Sequence, residues 1–341
     1  MLSAPTFGHL PFVMNKIEKT LNGGVGKTMN ILCATDDKYA PYCGVMLTSF
    51  LENHKAFHTE VYIIVKNSLK EEKRLKRLEE RYDVKVNMID FSLNEVASII
   101  DICHEYLTAE TYYRLFAAEL LPKDIDRVLY LDCDIIVDGD VSEMFAMNID
   151  GISALVAIDT PWHTMVSHPQ RLGYPEGKGY FNAGVMMINL EYWREHDISS
   201  KCYSFLKKNV GNLIFFDQDV LNVILLDSRR YVSLIYNFQA SAVLKEFYDL
   251  YDNETRTVIN SCQPRIVHYS TGMKPWMLYA YNRPFYPLWQ RYKRRSMWWW
   301  LTDKLPKEKP FNYFIKRYFL WPLGIMRIEC VVAEEWKKSN E

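Results

Sequence analysis

Two patterns of apolar and polar positions alternate along the chain from residue 29 onwards. Short runs of β-branched and large apolar side chains, read as buried strands, occupy residues 29–34, 59–65, 84–89, 127–131, 152–158, 179–190 and 265–269. Between them lie stretches with helical spacing. In residues 39–53 the apolar stripe is Cys43, Met46, Leu47, Phe50 and Leu51. Ser68 with Glu71 three places on has capping-box spacing, and predicts a helix from Ser68 to about Tyr82 with a charged outer face. Residues 108–121 read as a helix that stops before Pro122.

Strand–helix alternation of this kind predicts an α/β fold, with a mostly parallel sheet covered by helices on both faces. Ligands of such sheets bind beyond the carboxyl ends of the strands. The polar residues that follow the apolar runs are therefore expected to meet in one cleft: Thr35-Asp36-Asp37, Asp132-Cys133-Asp134, Asp159 and Tyr269-Ser270-Thr271. The organisation expected is a flexible N-terminal extension over 1–28, a folded domain over 29–280, and a basic, aromatic C-terminal segment over 281–341.

Composition narrows the class. The chain has 341 residues, 49% of them hydrophobic, and a formal net charge of −1. That content supports a large core, and the balance of charge disfavours a dedicated nucleic-acid binder. Seven scattered cysteines without a C-x-x-C fit neither a disulfide framework nor a zinc site, and point to reduced thiols in the cytoplasm. No apolar run approaches a membrane span, and the N-terminus is not a signal peptide. NGGVGKT at 22–28 imitates a phosphate-binding loop, but Leu21 stands where the leading glycine belongs and a strand follows where a helix should begin. A P-loop ATPase is disfavoured on that ground.

YLDCDIIV at 130–137 carries the chemistry. In an extended segment Asp132 and Asp134 point to one face. Two unpaired carboxylates side by side call for a cation, and hard oxygen ligands favour Mg²⁺ or Mn²⁺. His268 follows an apolar run and is a candidate third ligand, which tilts the choice towards Mn²⁺. Ser270, Thr271, Gly272 and Lys274 come directly after it and suit a phosphate grip.

The segments MNILCATDDKYAPY, TYYRLFAAELLP, RVLYLDCDIIV, GYFNAGVMMINLEYWR, DQDVLN and HYSTGMKPW follow one another in this order. Together they resemble glycosyltransferase family 8, over about residues 29–276. The family includes bacterial lipopolysaccharide galactosyl- and glucosyltransferases and, more distantly, glycogenin. The resemblance implies a GT-A type nucleotide-diphospho-sugar transferase fold, a UDP-galactose or UDP-glucose donor, Mn²⁺, retention of anomeric configuration and a carbohydrate or lipid-linked glycan acceptor. Carried over motif by motif, Ala34, Thr35, Asp36 and Tyr39 contact the nucleotide. Asp132, Cys133 and Asp134 hold the metal and donor, with His268 completing the metal shell. Arg114 lies near the donor sugar, and Thr271, Gly272 and Lys274 meet the diphosphate. Asp159, Asn182, Ala183, Gly184, Asp217 and Gln218 line the sugar pocket. Phe216 replaces a glutamine found in some members, and the glutamine here is Gln218, in a D-Q-D form.

Retention leaves two routes open. One is double displacement through an enzyme carboxylate, for which Asp159 and Asp217 are the candidates. The other, favoured here, is front-face attack on the leaving group's side, with Asp159, Asn182, Asp217 and Gln218 around the reacting centre. Asp217 also reads as a plain N-cap for the helix that follows it. Residues 283–317 carry ten Lys/Arg against two acids, interleaved with aromatics that include Trp289, Trp298, Trp299 and Trp300. That pattern suits an anionic membrane surface, and places the protein on the inner face of the cytoplasmic membrane; the alternative is packing of these aromatics on the domain. Competing readings are a sugar nucleotidyltransferase, which would have a Gly-rich loop where TDDKYAPY stands, and a non-catalytic nucleotide-sugar binding protein.

Overall fold

The structure, a computed structural model, describes residues 28–91, 109–277, 280 and 283–302. The expected extension over 1–28, apart from Thr28, lies outside them. The strands are β1 (Met29–Ala34), β2 (Thr59–Val65), β3 (Val84–Asp90), β4 (Arg127–Leu131), β5 (Ile135–Val137), β6 (Ala154–Ile158), β7 (Phe181–Asn189), β8 (Arg229–Tyr231), β9 (Phe238–Gln239) and β10 (Ile266–His268). Helices that support the site are α1 (Ala40–Asn53), α2 (Glu72–Lys76), α3 (Ala117–Leu120), α4 (Pro161–Ser167), α5 (Leu190–Glu195), α6 (Phe216–Ile224) and α7 (Tyr286–Arg295).

Seven strands form the main sheet in the order β3-β2-β1-β4-β7-β6-β8, and β5-β10-β9 form a second one. In the main sheet β7 alone runs against its neighbours, and the other pairings are parallel. The period of two along each strand divides its side chains between two cores. Ile31, Ile63 and Leu129 enter the core beneath α1, whereas Leu32, Ile64 and Val128 enter the core on the opposite face. All nine residues of β7 are buried, which is why it reads as a continuous apolar run.

Two expected helices differ. No helix starts at Ser68: α2 begins at Glu72 without a side-chain cap and passes into a 3₁₀ turn over Arg77–Glu80. The Glu71 carboxylate, assigned to a capping box, instead accepts from Arg74 and from the indole of Trp298 at 2.8 Å. A tertiary contact has taken the local cap's partner. Residues Ala109–Phe116 form a 3₁₀ helix, and only Ala117–Leu120 are α-helical. Thr108 lies outside the described residues.

The described part of the C-terminal segment packs on the domain. Leu288, Trp289, Tyr292 and Trp298 belong to the same core as α1. A Cβ at Gly44 would lie 2.2 Å from the Trp298 ring, so only glycine lets the indole approach α1 this closely. Asp138, just after β5, accepts from Arg291 and from the Tyr292 hydroxyl. Trp299 and Trp300 remain 67% and 46% exposed, with the guanidinium of Arg74 over the Trp300 ring. Lys304 and all later residues lie outside the described part.

Candidate active site

The D-x-D segment is the joint between the two sheets. β4 ends at Leu131 and β5 starts at Ile135, so Asp132-Cys133-Asp134 is a turn and not the extended segment expected. Asp132 N–H donates to the Gly184 carbonyl at 2.9 Å, which ties it to the main sheet; the Asp134 carbonyl accepts from Tyr269 N–H at 3.0 Å, which ties it to the small one. Cys133 turns its thiol to the Ala34 carbonyl, 3.3 Å away. β10 pairs antiparallel with β5, with His268 opposite Ile135, and so brings the imidazole to the turn. One carboxylate oxygen each of Asp132 and Asp134 and one imidazole nitrogen of His268 lie within 4.8 Å of one another.

These carboxylates are not unpaired, as the sequence suggested. Asp132 Oδ1 accepts from the Tyr130 hydroxyl at 2.8 Å and pairs with Arg114 at 2.9 Å. Asp134 Oδ2 pairs with the Lys274 ammonium. One oxygen of each remains on the side of His268 Nε2, Asp134 Oδ1 at 3.3 Å and Asp132 Oδ2 at 3.9 Å. Two carboxylate oxygens and one imidazole nitrogen form a donor set that suits a divalent first-row cation. Burial opposes ionisation of Asp134, but Lys274 and His268 hold its carboxyl well below the usual carboxylate range.

Gly184 marks how tight the centre is: a Cβ there would lie 2.3 Å from His268 Cε1 and 2.7 Å from Asp132 Oδ2. It reaches the site because β7 is antiparallel. Its amino-terminal half, Phe181–Gly184, thereby lies at the edge where β4 and β6 end. Asn182, Ala183 and Gly184 thus join Asp132 and Asp159, as the convergence rule requires.

Asp159 follows β6 and is 2% exposed. Its Oδ1 accepts from Thr160 N–H at 2.7 Å and from His163 Nδ1 at 2.9 Å, and its Oδ2 accepts from Gln218 Nε2 at 2.7 Å. Burial opposes its charge, yet His163 and these hydrogen bonds hold its carboxyl below the ordinary value. Gln218 Oε1 in turn accepts from Ala183 N–H at 3.1 Å. Asp217 is not an N-cap. It lies in the first turn of α6, whose cap position is Phe215, and pairs with Arg114 Nε at 3.0 Å. Burial pushes its carboxyl up to about 7, outweighing the pull of Arg114. Arg114 also donates to the Ala183 carbonyl at 2.7 Å and stacks over Tyr130. One guanidinium therefore links Asp132, Asp217 and β7.

After β1, Asp36 Oδ1 accepts from Tyr39 N–H at 2.7 Å and shapes the loop that opens α1. Thr35 is buried, with its hydroxyl on the Asp36 carbonyl, while Ala34, Asp36 and Tyr39 are partly exposed. Tyr39 meets Trp276 edge-on, and Tyr42 stacks on the same indole with centroids 3.7 Å apart. The first loop and the 268–276 segment therefore form one wall. Thr271 and Gly272 are partly exposed and exposed on that segment. Ser270 donates instead to Gln239 at 3.1 Å.

Sequence reasoning missed four supporting residues. Asn237 accepts from His268 Nδ1 at 3.0 Å, Tyr130 supports Asp132, and His163 supports Asp159. Asp219 accepts from the Tyr180 hydroxyl and from the backbone N–H groups of Ile214 and Phe215, next to the left-handed Phe216 at φ 47°. Asn237 lies within an apolar stretch, and that isolated polar position was its only signal.

Fold and site together define a class, the GT-A type nucleotide-sugar transferases. A solved structure of galactosyltransferase LgtC in complex with donor and acceptor sugar analogs superposes with a TM-score of 0.67 at 24% identity, covering 82% of this chain and 98% of that one. The family model for glycosyl transferase family 8 matches residues 30–279, so this chain belongs to glycosyl transferase family 8. The lipopolysaccharide 1,3-galactosyltransferase of Salmonella typhimurium is 32% identical over 72% of this chain and 72% of its own length. The lipopolysaccharide 1,2-glucosyltransferase of Escherichia coli is 28% identical over 87% and 86%. General stress protein A of Bacillus subtilis is 28% identical over 73% and 87%. The protein is a glycosyltransferase, with a candidate divalent-metal centre at Asp132, Asp134 and His268.

Proposed function

We propose that this glycosyltransferase moves galactose or glucose from a UDP-sugar to a carbohydrate acceptor in lipopolysaccharide or a related cell-surface glycan, with retention and with Mn²⁺ as its metal. The observation that carries this reading is the Asp132–Asp134–His268 donor set at the strand edge where the Asp159–Gln218–Ala183 network also ends. The lipopolysaccharide glycosyltransferases among its relatives support the donor and acceptor class. The imidazole in the donor set supports Mn²⁺ over Mg²⁺.

Asp132, Asp134 and His268 would hold the cation, which supplies positive charge to the departing diphosphate when bound. Lys274, whose ammonium pairs with Asp134 and donates to the Tyr269 carbonyl, would add a second cation beside it. Asp159 and Gln218, locked to each other and to β7, orient the sugar hydroxyls. Asp217 is held by Arg114 in a buried position, which supports a positioning role and front-face attack over double displacement. The test is UDP release from a panel of nucleotide-sugars, with and without Mn²⁺, for wild type and Asp134→Asn. Metal-dependent turnover of one UDP-sugar, lost in the variant, is the expected result; no UDP binding under any condition refutes the reading.

We further propose peripheral docking on the anionic inner face of the cytoplasmic membrane. No helix among the described residues is long and apolar enough to cross a membrane. The Arg74 guanidinium lies over the exposed Trp300 ring, and exposed Trp299 follows the exposed Arg294 and Arg295 within five residues, a combination that suits the headgroup region. Sedimentation with phosphatidylglycerol vesicles tests this. Wild type is expected to bind and a Trp299→Ala/Trp300→Ala variant to bind less, and equal binding to neutral phosphatidylcholine vesicles counts against it.

A further inference from the structure

The metal ligand His268 has two ring nitrogens, and the structure contains the information that decides which one carries the proton. The starting point is a donor that cannot be reassigned, the backbone N–H of Gly184. It lies 3.0 Å from the side-chain oxygen of Asn182, which fixes that atom as oxygen. The same oxygen lies 3.0 Å from the Asn237 side chain. An acceptor needs a donor opposite, so Asn237 must present its NH₂ there, with the Asn182 backbone carbonyl also 3.3 Å away. The carbonyl end of Asn237 is then left facing His268 Nδ1 at 3.0 Å. A carbonyl oxygen only accepts, so Nδ1 must donate, and in the neutral ring that metal binding requires the lone pair is on Nε2. That nitrogen is the one turned to Asp132 and Asp134.

We propose that Asn237 is a positioning residue that fixes the Nδ1–H tautomer of His268 and aims Nε2 at the metal centre, with its own orientation set by the Asn182–Gly184 backbone. Asn237 is fully buried and directly precedes β9, which pairs with β10 so that His268 lies opposite Gln239. Its backbone N–H is held by the Leu234 carbonyl at 3.0 Å. Position and orientation are therefore both built in before any metal arrives. A partner on the second ring nitrogen commonly sets the tautomer and basicity of a metal-binding histidine, and its loss typically weakens metal affinity about 10–100-fold. The chain of contacts also ties that ligand to the Asn182-Ala183-Gly184 stretch of β7, which borders the proposed sugar pocket. Sugar pocket and metal centre thus share one rigid strand.

This inference rests on the proposed metal site, and the experiment separates the two. The tautomer is read first, on metal-free protein at a pH high enough for a neutral ring, from imidazole ¹⁵N shifts of histidine-labelled enzyme, with the His268 signal assigned by its loss in His268→Gln. The protonated-Nδ1 pattern is expected in wild type, and a predominant Nε2–H tautomer overturns the proposal. Mn²⁺ binding is then titrated by electron paramagnetic resonance in the presence of UDP. Asn237→Leu, which removes the acceptor at similar volume, is expected to weaken Mn²⁺ binding about 10–100-fold. Asn237→Asp, which keeps an acceptor for Nδ1 but loses the donor to Asn182, is expected to lose less affinity than Asn237→Leu. Wild-type affinity in a folded Asn237→Leu also overturns the proposal, as does equal loss in both variants. Should Asn237→Leu fail to fold, the wild-type spectrum still decides. Should wild type bind no Mn²⁺, the metal reading fails, while the tautomer result stands by itself.

Discussion

Replacing Gly184 by alanine tests the active-site geometry most directly. The added methyl would lie 2.3 Å from His268 Cε1 and 2.7 Å from Asp132 Oδ2. Ordinary carbon contacts begin near about 3.5 Å, so the imidazole would have to retreat by roughly 1 Å. It has nowhere to go: His268 is 3% exposed, and Asn237 stands behind Nδ1. The strand cannot yield either, because Gly184 N–H is held by Asn182 and its carbonyl by Asp132. Overpacking of this kind costs about 1–3 kcal/mol, and displacing a metal ligand lowers affinity by at least the tenfold to hundredfold typical of a lost supporting contact. The backbone at Gly184 is not left-handed, so the effect is steric and not conformational. Gly211→Ala, away from the site, is the control, since a Cβ there meets nothing within 4 Å. Thermal unfolding and Mn²⁺ titration of both variants give the answer. Gly184→Ala should lose stability and metal affinity together, and Gly211→Ala neither. A Gly184→Ala protein with wild-type Mn²⁺ affinity would refute the placement of His268 against β7.

Three further outcomes follow from the same contacts. Trp298→Ala empties the indole site over Gly44, and urea unfolding should show a loss of about 3–5 kcal/mol; a change below about 1 kcal/mol would mean that the C-terminal segment is not part of the core. Arg194, on α5, donates to five carbonyls between Ala118 and Ile125, so Arg194→Lys, which lacks the planar fork, should lower the unfolding midpoint and leave the KM for donor unchanged. Asp217 has a folded value of about 7, above the about 3.9 of an unfolded aspartate. Folding therefore opposes its ionisation, and stability that is complete below pH 4 declines by roughly 1.4 kcal/mol per unit as pH rises towards 7. Asp217→Asn should flatten that component of the pH–stability curve. An unchanged slope would show that Arg114 keeps Asp217 ionised, and full transfer activity in the variant would remove it from the catalytic set.

The alternation of elements was legible because burial on a two-sided sheet imposes its own period. Ile31 and Leu32 enter opposite cores, and every such residue must be apolar whatever lies far away in the chain. The motif order likewise marked Asp132, Asp134, His268, Asp159 and Gln218, and the structure gathers them. Local pattern failed where a distant partner intervened. Glu71 has capping-box spacing, but Trp298, 227 residues on, takes its carboxylate. Asp132 and Asp134 looked unpaired because Arg114 and Lys274 reach them from other elements. Among the described residues of the C-terminal aromatic pattern, Phe285, Trp289, Tyr292 and Trp298 were drawn into the core, leaving Trp299 and Trp300 exposed.

Sequence by itself determined the α/β class, the strand edge at which the site lies and the residue types able to bind a cation and a nucleotide-sugar, since these depend on spacing and side-chain chemistry within short segments. Only the tertiary structure decided that β7 runs antiparallel, which delivers Asn182 and Gly184 to the candidate metal centre, that the D-x-D is a turn between two sheets, and that Asn237 meets His268 Nδ1. Those facts depend on which strand ends meet in space. Backbone hydrogen bonds between segments more than fifty residues apart carry no signature in either segment alone.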